Sequence, residues 1–431
     1  MNGNRPTEAH ERNLRGRDFF FLWAGAGIAL SEIWAGGILT PLGLVTGLVV
    51  ILLGHIIGNT PLALAGLMGS RLGVPSMLST RGALGLRGSH LPAILNVVQL
   101  VGWTAVMLWI CGQAAARLTE AKFGLGPTPW ILISGALTTL WALAGPQGWR
   151  HIQRIGSILL LILSVVMSYV LLTKYGLRSL LNTPASGGLS FMSGLDLVIA
   201  MPISWVPLAA DYARFAKKSS TAFTGSWIGY FVASVWMYAV GLAASVATGS
   251  DTPDRVVMDL MSAFGLAGAA LMIALISTFT TTFLDIYSNA VSLQSLAPRF
   301  NTRLAILLGG VLGTALATVL DPTIYEHFLL FIGSAFCPLF GVVFANYFIT
   351  HRGHYDAQQL FGGERYRYWN GLHIPGLLAW LIGFALYQGM TVWLPSVGAS
   401  LPSLLGAGLI YLALTARNRG AAAPNAERVA S

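Results

Sequence analysis

The sequence predicts an all-α polytopic membrane protein of twelve spans, built as two inverted five-helix repeats followed by two C-terminal helices. Three observations carry this. Of 431 residues, 55% are hydrophobic and only 10% are charged, against roughly 25% charged in soluble domains. Apolar segments of about 20 residues, enough to cross about 30 Å of hydrocarbon, follow one another along the chain. Two of those segments, five spans apart, carry helix-weakening residues in mid-membrane.

Taken in order, the spans fall near 18–41, 43–68, 92–116, 129–146, 155–173, 192–213, 222–248, 266–295, 303–320, 327–350, 372–390 and 398–416. Residues 1–17 form an N-terminal segment, 18–174 the first repeat, 192–350 the second, 372–416 the last two helices and 417–431 a tail. The tail and most of the head before Asp18 are polar and are expected to be disordered. No cleavable leader is expected, because the first apolar run continues as a spanning helix. With both ends inside, the cytoplasmic segments hold 20 Lys or Arg and the external ones five. By the positive-inside rule, that places the protein in the cytoplasmic membrane with both termini cytoplasmic. The net charge of +9 is thereby topology, and no nucleic-acid partner is expected; the lipid bilayer is the partner, and no particular oligomeric state is implied. The stretch "STRGALGLRGSH" at 79–90 is too polar to span and reads as an interfacial or re-entrant piece. The acidic external loop "GSDTPDRVVMDLMSAFG" is expected to hold a short surface helix. Cys111 and Cys337 lie in apolar stretches and read as packing residues.

Two spans look broken. The first contains Gly25, Gly27, Gly36 and Gly37 around Glu32; the sixth reads "IAMPISWVPLAADYARF", with Pro202 and Pro207 in mid-membrane. Each proline removes a helix hydrogen bond and crowds the preceding turn. Irregular backbone at that depth is tolerated where it lines a cavity or is buried in protein. An odd spacing of five makes the second copy enter from the opposite side, and paired interruptions in two inverted halves point to a transporter site. The echo of "SEIW", ending at Trp34, in "PISW", ending at Trp205, agrees with this.

A carboxyl at the bilayer centre costs about 3 kcal/mol on insertion scales, so intramembrane acids mark function by default. There are two deep ones, Glu32 and Asp285, while Asp18 and Asp211 sit at span ends, Asp211 near Arg214. A neutral carboxylic acid sets one donor beside one acceptor, matching the edge of an aminopyrimidine, where an exocyclic amine adjoins a ring nitrogen. Glu32 is therefore expected to read a heterocycle. A flat ligand needs stacking surfaces worth about 1–3 kcal/mol each. Trp103 with Gln99 on the third span, and Ser204 with Trp205 on the sixth, supply them; Asn289, one turn beyond Asp285, adds an amide. Trp23, Trp130, Trp149 and Trp393 lie near span ends and fit an interfacial belt instead. Tyr287 and His55 read as packing residues, with proton conduction the other role open to His55. The run Thr280, Thr281 and Thr282 fits either a cation site or hydroxyls bonded back to their own helix.

These stretches resemble the nucleobase–cation symporters that include the purine–cytosine permeases. The carriers are "SEIWAGG", "QLVGW", "PISWVPLAADYARF" and "TTTFLDIYSNA", and the likeness runs over residues 15 to 416. The branch described as hydroxymethylpyrimidine transporters, tied to thiamine-precursor salvage, is still more similar. The resemblance implies a leucine-transporter-like fold, alternating access and symport of a base with sodium or protons, sodium favoured. It implies that Trp103 stacks the base, that Ser204 binds it, and that the second stacking role passes to Trp205. Glu32 and Asp285 stand where the permeases carry a serine and an asparagine, which argues for a ligand with an extra donor or a positive charge. It places the cation among Gly25, Ile28, Thr278, Thr281 and Thr282. No other cofactor is implied.

The function expected is therefore cation-coupled import of an aminopyrimidine, hydroxymethylpyrimidine first and cytosine or a related nucleobase second. An enzyme is not expected: there is no H-E-x-x-H, no G-x-S-x-G and no paired membrane histidines. A channel would show a repeated pore loop or ring-forming polar motif, and none is present.

Overall fold

The computed structural model describes residues 5–144, 149–250, 252–262, 264–297 and 299–419. Among these, nine helices are long and apolar enough to cross a membrane, and the bent pair Gly16–Gly27 and Leu30–Ile38 makes a tenth span. Pro127–Ala144 and Ser400–Arg419 are helical at the two remaining expected positions. No strand occurs among the described residues. The second to fifth spans are Leu44–Leu72, His90–Phe123, Pro127–Ala144 and Trp149–Val170, the last continuing as a wider turn to Tyr175. The sixth to tenth are Phe191–Ala213, Ser219–Thr248, Ala267–Leu296, Thr302–Val319 and Ile324–Phe344. The eleventh is Ile374–Trp393 and the twelfth Ser400–Arg419. The expected tail overlaps this last helix, and from residue 420 on it lies outside the described residues.

The inverted repeat is visible in the packing. Exchanging the halves maps span one onto six and two onto seven. The first span packs chiefly on the seventh, and the sixth on the second; the third packs on the eighth and the fourth on the ninth. The same contacts recur in sequence: Ser31 and Pro202, Trp34 and Trp205, Gly54 and Gly225, Gly58 and Gly229 are each 171 residues apart. The glycines have one job in both halves. A Cβ at Gly58 would sit 2.4 Å from Pro202 Cγ, and one at Gly229 would sit 2.3 Å from the Phe20 carbonyl oxygen. Without hydrocarbon-versus-water driving force between spans, such bare surfaces are what let helix backbones approach closely.

Three expectations change. The sixth span is one continuous helix, not a broken one, despite Pro202 and Pro207 inside it. Side chains brace the backbone around the prolines: Gln99 Nε2 donates to the Ser204 carbonyl at 2.9 Å, and Ser204 Oγ donates to the Met201 carbonyl at 2.6 Å. The prolines free the carbonyls of Val198 and Ile203, four residues back, and the bonds to Met201 and Ser204 brace the backbone beside Pro202. Second, the head is ordered from residue 5. Thr7 N–H donates to the Gly73 carbonyl, Arg12 Nη1 to the Ser70 carbonyl, and Leu14 N–H to the Phe215 carbonyl, and the Leu14 side chain packs against the core, so hydrogen bonds to distant backbone do most of what holds this polar segment. Third, the helix of the acidic loop, Pro253–Ser262, is more than a surface element, because it buries Val256, Val257, Leu260 and Met261. The polar 79–90 stretch starts with short helices at Ser76–Ser79 and Arg81–Leu84. Asp211 accepts from the Ser76 N–H at 2.8 Å, whereas Arg214 Nε donates to the Asp211 backbone carbonyl, so the expected pairing of the two side chains is not what holds them.

Candidate functional site

The first span stops being a helix where the sequence weakens it. Its ladder ends with Ile28 N–H on the Ala24 carbonyl and resumes with Glu32 N–H on the Ala29 carbonyl. Ala29 between them is extended (φ −141°, ψ 151°), and the two halves meet at 59°. The carbonyls from Gly25 to Ile28 thereby lose their helical donors four residues on. Leu30–Ile38 begins with Glu32 in its first turn, where the helix dipole favours a carboxyl group. On the far side of the break, Tyr325 Oη donates to the Ser31 carbonyl at 3.0 Å.

A cavity opens at this break. Ala26, Ala29, Ser31 and Glu32 line it from the first span, Trp103 and Met107 from the third, Ser204 and Trp205 from the sixth, and Thr281 and Asp285 from the eighth. Of the seven expected substrate residues, five are thus brought together: Glu32, Trp103, Ser204, Trp205 and Asp285. The cavity's free core is about 20 Å³, room for roughly one water. Gln99 and Asn289 are not in its wall. Gln99 bridges Asn96 and the Ser204 carbonyl, and Asn289 Nδ2 donates to the Val97 carbonyl at 3.0 Å, so both act as glue between spans.

The two acids have different surroundings. Glu32, 1% exposed, accepts from Tyr230 Oη and from Ser234 Oγ, each at 2.7 Å. Both carboxyl oxygens are therefore committed to the seventh span. Asp285, 4% exposed, has its Oδ2 buried with no hydrogen-bond partner. A buried polar atom without a partner costs about 1–3 kcal/mol, and here it lies in the wall of a cavity that a ligand could fill.

Aromatic side chains close the cavity on two sides. Trp34 stacks on Tyr325 at 4.2 Å and on Trp109 at 5.1 Å, and Trp103 meets Tyr325 and Phe328 edge-on. At the opposite end, Trp23 packs edge-on against Trp205, Tyr212 and Tyr230. Trp23 is 2% exposed and belongs to the site, not to the interfacial belt the sequence suggested for it. Beyond the Trp109 side lies an open vestibule lined by Arg117, Asp254 and Asp321, with Arg117 and Asp254 ion-paired across it.

For a cation, the residues fit in part. Thr278 Oγ1 is buried with no partner. Thr281 Oγ1 donates to the Ser277 carbonyl at 3.1 Å and Thr282 Oγ1 to the Thr278 carbonyl at 2.8 Å, leaving their lone pairs available. Thr281 lines the cavity, while Gly25 and Ile28 stand outside its wall. The side chain of Thr280 lies outside the described residues. No group of three or more His, Cys, Asp or Glu side chains capable of holding a metal ion occurs among the described residues.

Sequence reasoning missed Tyr230, Ser234 and Tyr325. The signal was present: Tyr230 and Ser234 are polar, one turn apart and mid-span, on the helix that the inverted topology pairs with the first.

Comparison with known proteins gives this architecture its context. Residues 6–405 match the family model described as permease for cytosine/purines, uracil, thiamine and allantoin. The cytosine permease of Escherichia coli K12 is 26% identical over 401 residues, covering 91% of this chain and 89% of that permease. The hydantoin permease of Microbacterium maritypicum is 24% identical over 405 residues, covering 89% and 83%. Among solved structures, the inward-facing conformation of Mhp1 superposes with a TM-score of 0.87 at 20% identity, covering 98% of this chain and 94% of that one. Mhp1 in a closed conformation with bromovinylhydantoin bound gives 0.82 at 21% identity, covering 97% and 96%.

Proposed function

The chain belongs to the family of permeases for cytosine/purines, uracil, thiamine and allantoin, and on that premise we propose that it is a cation-coupled symporter importing an aminopyrimidine. Hydroxymethylpyrimidine is the first candidate and cytosine, which carries the same amine and ring-nitrogen edge, the second. The proposal extends to a cytoplasmic-membrane location with both termini inside, from the distribution of Lys and Arg.

The observation that carries the substrate class is Asp285, whose Oδ2 is buried and unpartnered and which lines a cavity also walled by Trp103 and Trp205. With Oδ2 as the acceptor oxygen of Asp285, an exocyclic amine would satisfy it, whereas a ring carbonyl in its place would set two acceptors face to face. Reading of the base edge thus moves from Glu32, whose oxygens are taken by Tyr230 and Ser234, to Asp285, with the Ser204 hydroxyl beside it. Trp103 and Trp205 would cover the faces of the ring. The cavity is too small for a base as it stands, so entry needs one aromatic wall to move, as alternating access requires. Two states respond to a ligand only through its differential affinity for them, and a base that fills the collapsed cavity supplies that difference.

Sodium coupling, the sequence expectation, would use the freed carbonyls of Gly25 and Ile28 with the hydroxyls of Thr278, Thr281 and Thr282. The unpartnered hydroxyl of Thr278 supports it. The test of the substrate class is a binding panel on purified protein with hydroxymethylpyrimidine, cytosine, uracil and hydantoin, with and without sodium. Aminopyrimidines are expected to stabilise the protein and uracil to do so weakly. Equal stabilisation by uracil would refute the amine-reading role, and no response to any base would refute the transport reading.

A further inference from the structure

We propose that Glu32, Ser234 and His55 form a buried relay that binds one exchangeable proton, and that this proton is a coupling ion of transport. The inference rests on the symport reading above and adds the identity of an ion and its seat.

The three groups share too few hydrogens for the contacts they make. His55 on the second span is fully buried, with Nδ1 2.8 Å from the Ile51 carbonyl and Nε2 2.6 Å from Ser234 Oγ. A carbonyl oxygen only accepts, so Nδ1 must carry a hydrogen. In a neutral imidazole Nε2 is then an acceptor. On its other side, Ser234 Oγ is 2.7 Å from Glu32 Oε2. The serine owns one hydrogen and cannot donate to both neighbours. With an ionised carboxylate and a neutral imidazole, one of the two contacts would set two lone pairs face to face at under 3 Å. One added proton removes the conflict. Either the carboxylic acid donates to Ser234, which donates to Nε2, or an imidazolium donates to Ser234, which donates to the carboxylate. Both forms are neutral overall as a set of three, as a buried cluster should be.

Among the described residues, the groups around the relay supply no countercharge that would do this instead. From the seventh span, Tyr230 donates to Glu32 Oε1 and receives the Trp205 Nε1–H at 3.1 Å, and Tyr238 meets the His55 ring edge-on at 5.0 Å. Tyr325 of the tenth span is bonded to the Ser31 carbonyl, and Asp285 of the eighth faces the cavity. On the helix Pro253–Ser262, Asp254 pairs with Arg117, Asp259 accepts from Ser250, and Arg255 lines the outer vestibule.

The relay joins three moving parts. Glu32 opens the second half of the broken first span, Ser234 is on the seventh and His55 on the second, and through Tyr230 the chain continues to Trp205 in the substrate cavity. With its proton, the relay latches the first-span break to the second and seventh spans. Losing it leaves two facing acceptors and loosens that latch. A base that presses on Trp205 and a proton that holds Glu32 thus bias one element, which is what coupling requires.

The test is the full chain in sodium-free lipid vesicles holding a pH-sensitive dye, with cytosine as the probe. Entry of cytosine should acidify the lumen. For one proton per base, an inward gradient of about one pH unit should support up to about tenfold accumulation. The variants His55→Asn and Ser234→Ala should still exchange labelled cytosine across the membrane without a gradient, while moving no proton and accumulating no base. Cytosine exchange without proton movement in the wild-type protein overturns this inference alone, as does wild-type proton movement in both variants. A wild-type protein that exchanges none of the bases in the panel, with sodium restored as well as without it, overturns the symport reading and this inference with it.

Discussion

The first and sixth spans occupy equivalent places in the two inverted repeats, each laid against a glycine-bearing partner helix, yet only one of them breaks. The first span carries no proline and comes apart between Gly27 and Leu30; the sixth carries two and stays helical throughout. Proline alone therefore does not decide the matter. What separates them is where the backbone groups go. Around the sixth-span prolines, Gln99 and Ser204 reach carbonyls directly. At the first-span break, the carbonyls from Gly25 to Ile28 are left toward the interior, and the polar side chain that follows, Glu32, bonds outward to the seventh span. The first span is built to hinge and the sixth to brace.

This contrast can be broken at its tightest point. A Cβ on Gly241 would lie 2.0 Å from the Ile33 carbonyl oxygen, an atom of rigid backbone. Gly241→Ala should lower stability by about 3 kcal/mol, the upper end of overpacking costs, read as thermal unfolding in detergent. A change below about 1 kcal/mol would show that the first span can slide on the seventh without penalty. Next, Glu32→Leu removes the partner of Tyr230 and Ser234 and should cost about 2 kcal/mol, the price of unsatisfied buried hydroxyls; an unchanged melting point would remove Glu32 from the latch. Trp103→Ala should weaken base binding by about 30-fold, matching about 2 kcal/mol of lost stacking, measured on the folded fraction. Wild-type affinity in that variant would take the third span out of the site. The smallest effect is expected at the brace: Pro207→Ala should change stability by less than about 1 kcal/mol, because the helix is already continuous and a restored bond offsets the lost rigidity.

The spans and their inverted pairing were legible because hydrophobic length and the recurrence of the Trp34 motif at Trp205 are properties of the chain read along its own axis. The first-span break was legible for the same reason, as Glu32 sits among glycines in an otherwise apolar run. The continuity of the sixth span was not, since the packing that braces it includes Gln99, a residue 105 positions away from the carbonyl it reaches. Side-chain direction was the other loss. Gln99 and Asn289 lie on the right helices but turn toward neighbouring spans, and sequence spacing on one helix does not say which neighbour stands beside each face. Trp23 was misplaced by its position near a span end, although the bend in the first span folds that end back onto Trp205. The ordered head escaped notice because hydrogen bonds to distant backbone carbonyls, with Leu14 as an apolar anchor, hold it down.

Asp285 and Glu32 extend the same lesson to the site. Both are buried acids in mid-span, and residue type alone made them equal candidates for reading a base. Their partners separate them: one is committed to the protein and the other is open to the cavity. The most direct test is the ratio of cytosine to uracil affinity, measured by calorimetry in the wild-type protein and in Asp285→Leu, which keeps the branched shape and deletes the polar edge. The ratio should favour cytosine by at least about tenfold, a difference of about 1.4 kcal/mol, and collapse toward one in the variant. A preference for the amine that survives the loss of Asp285 would contradict the account.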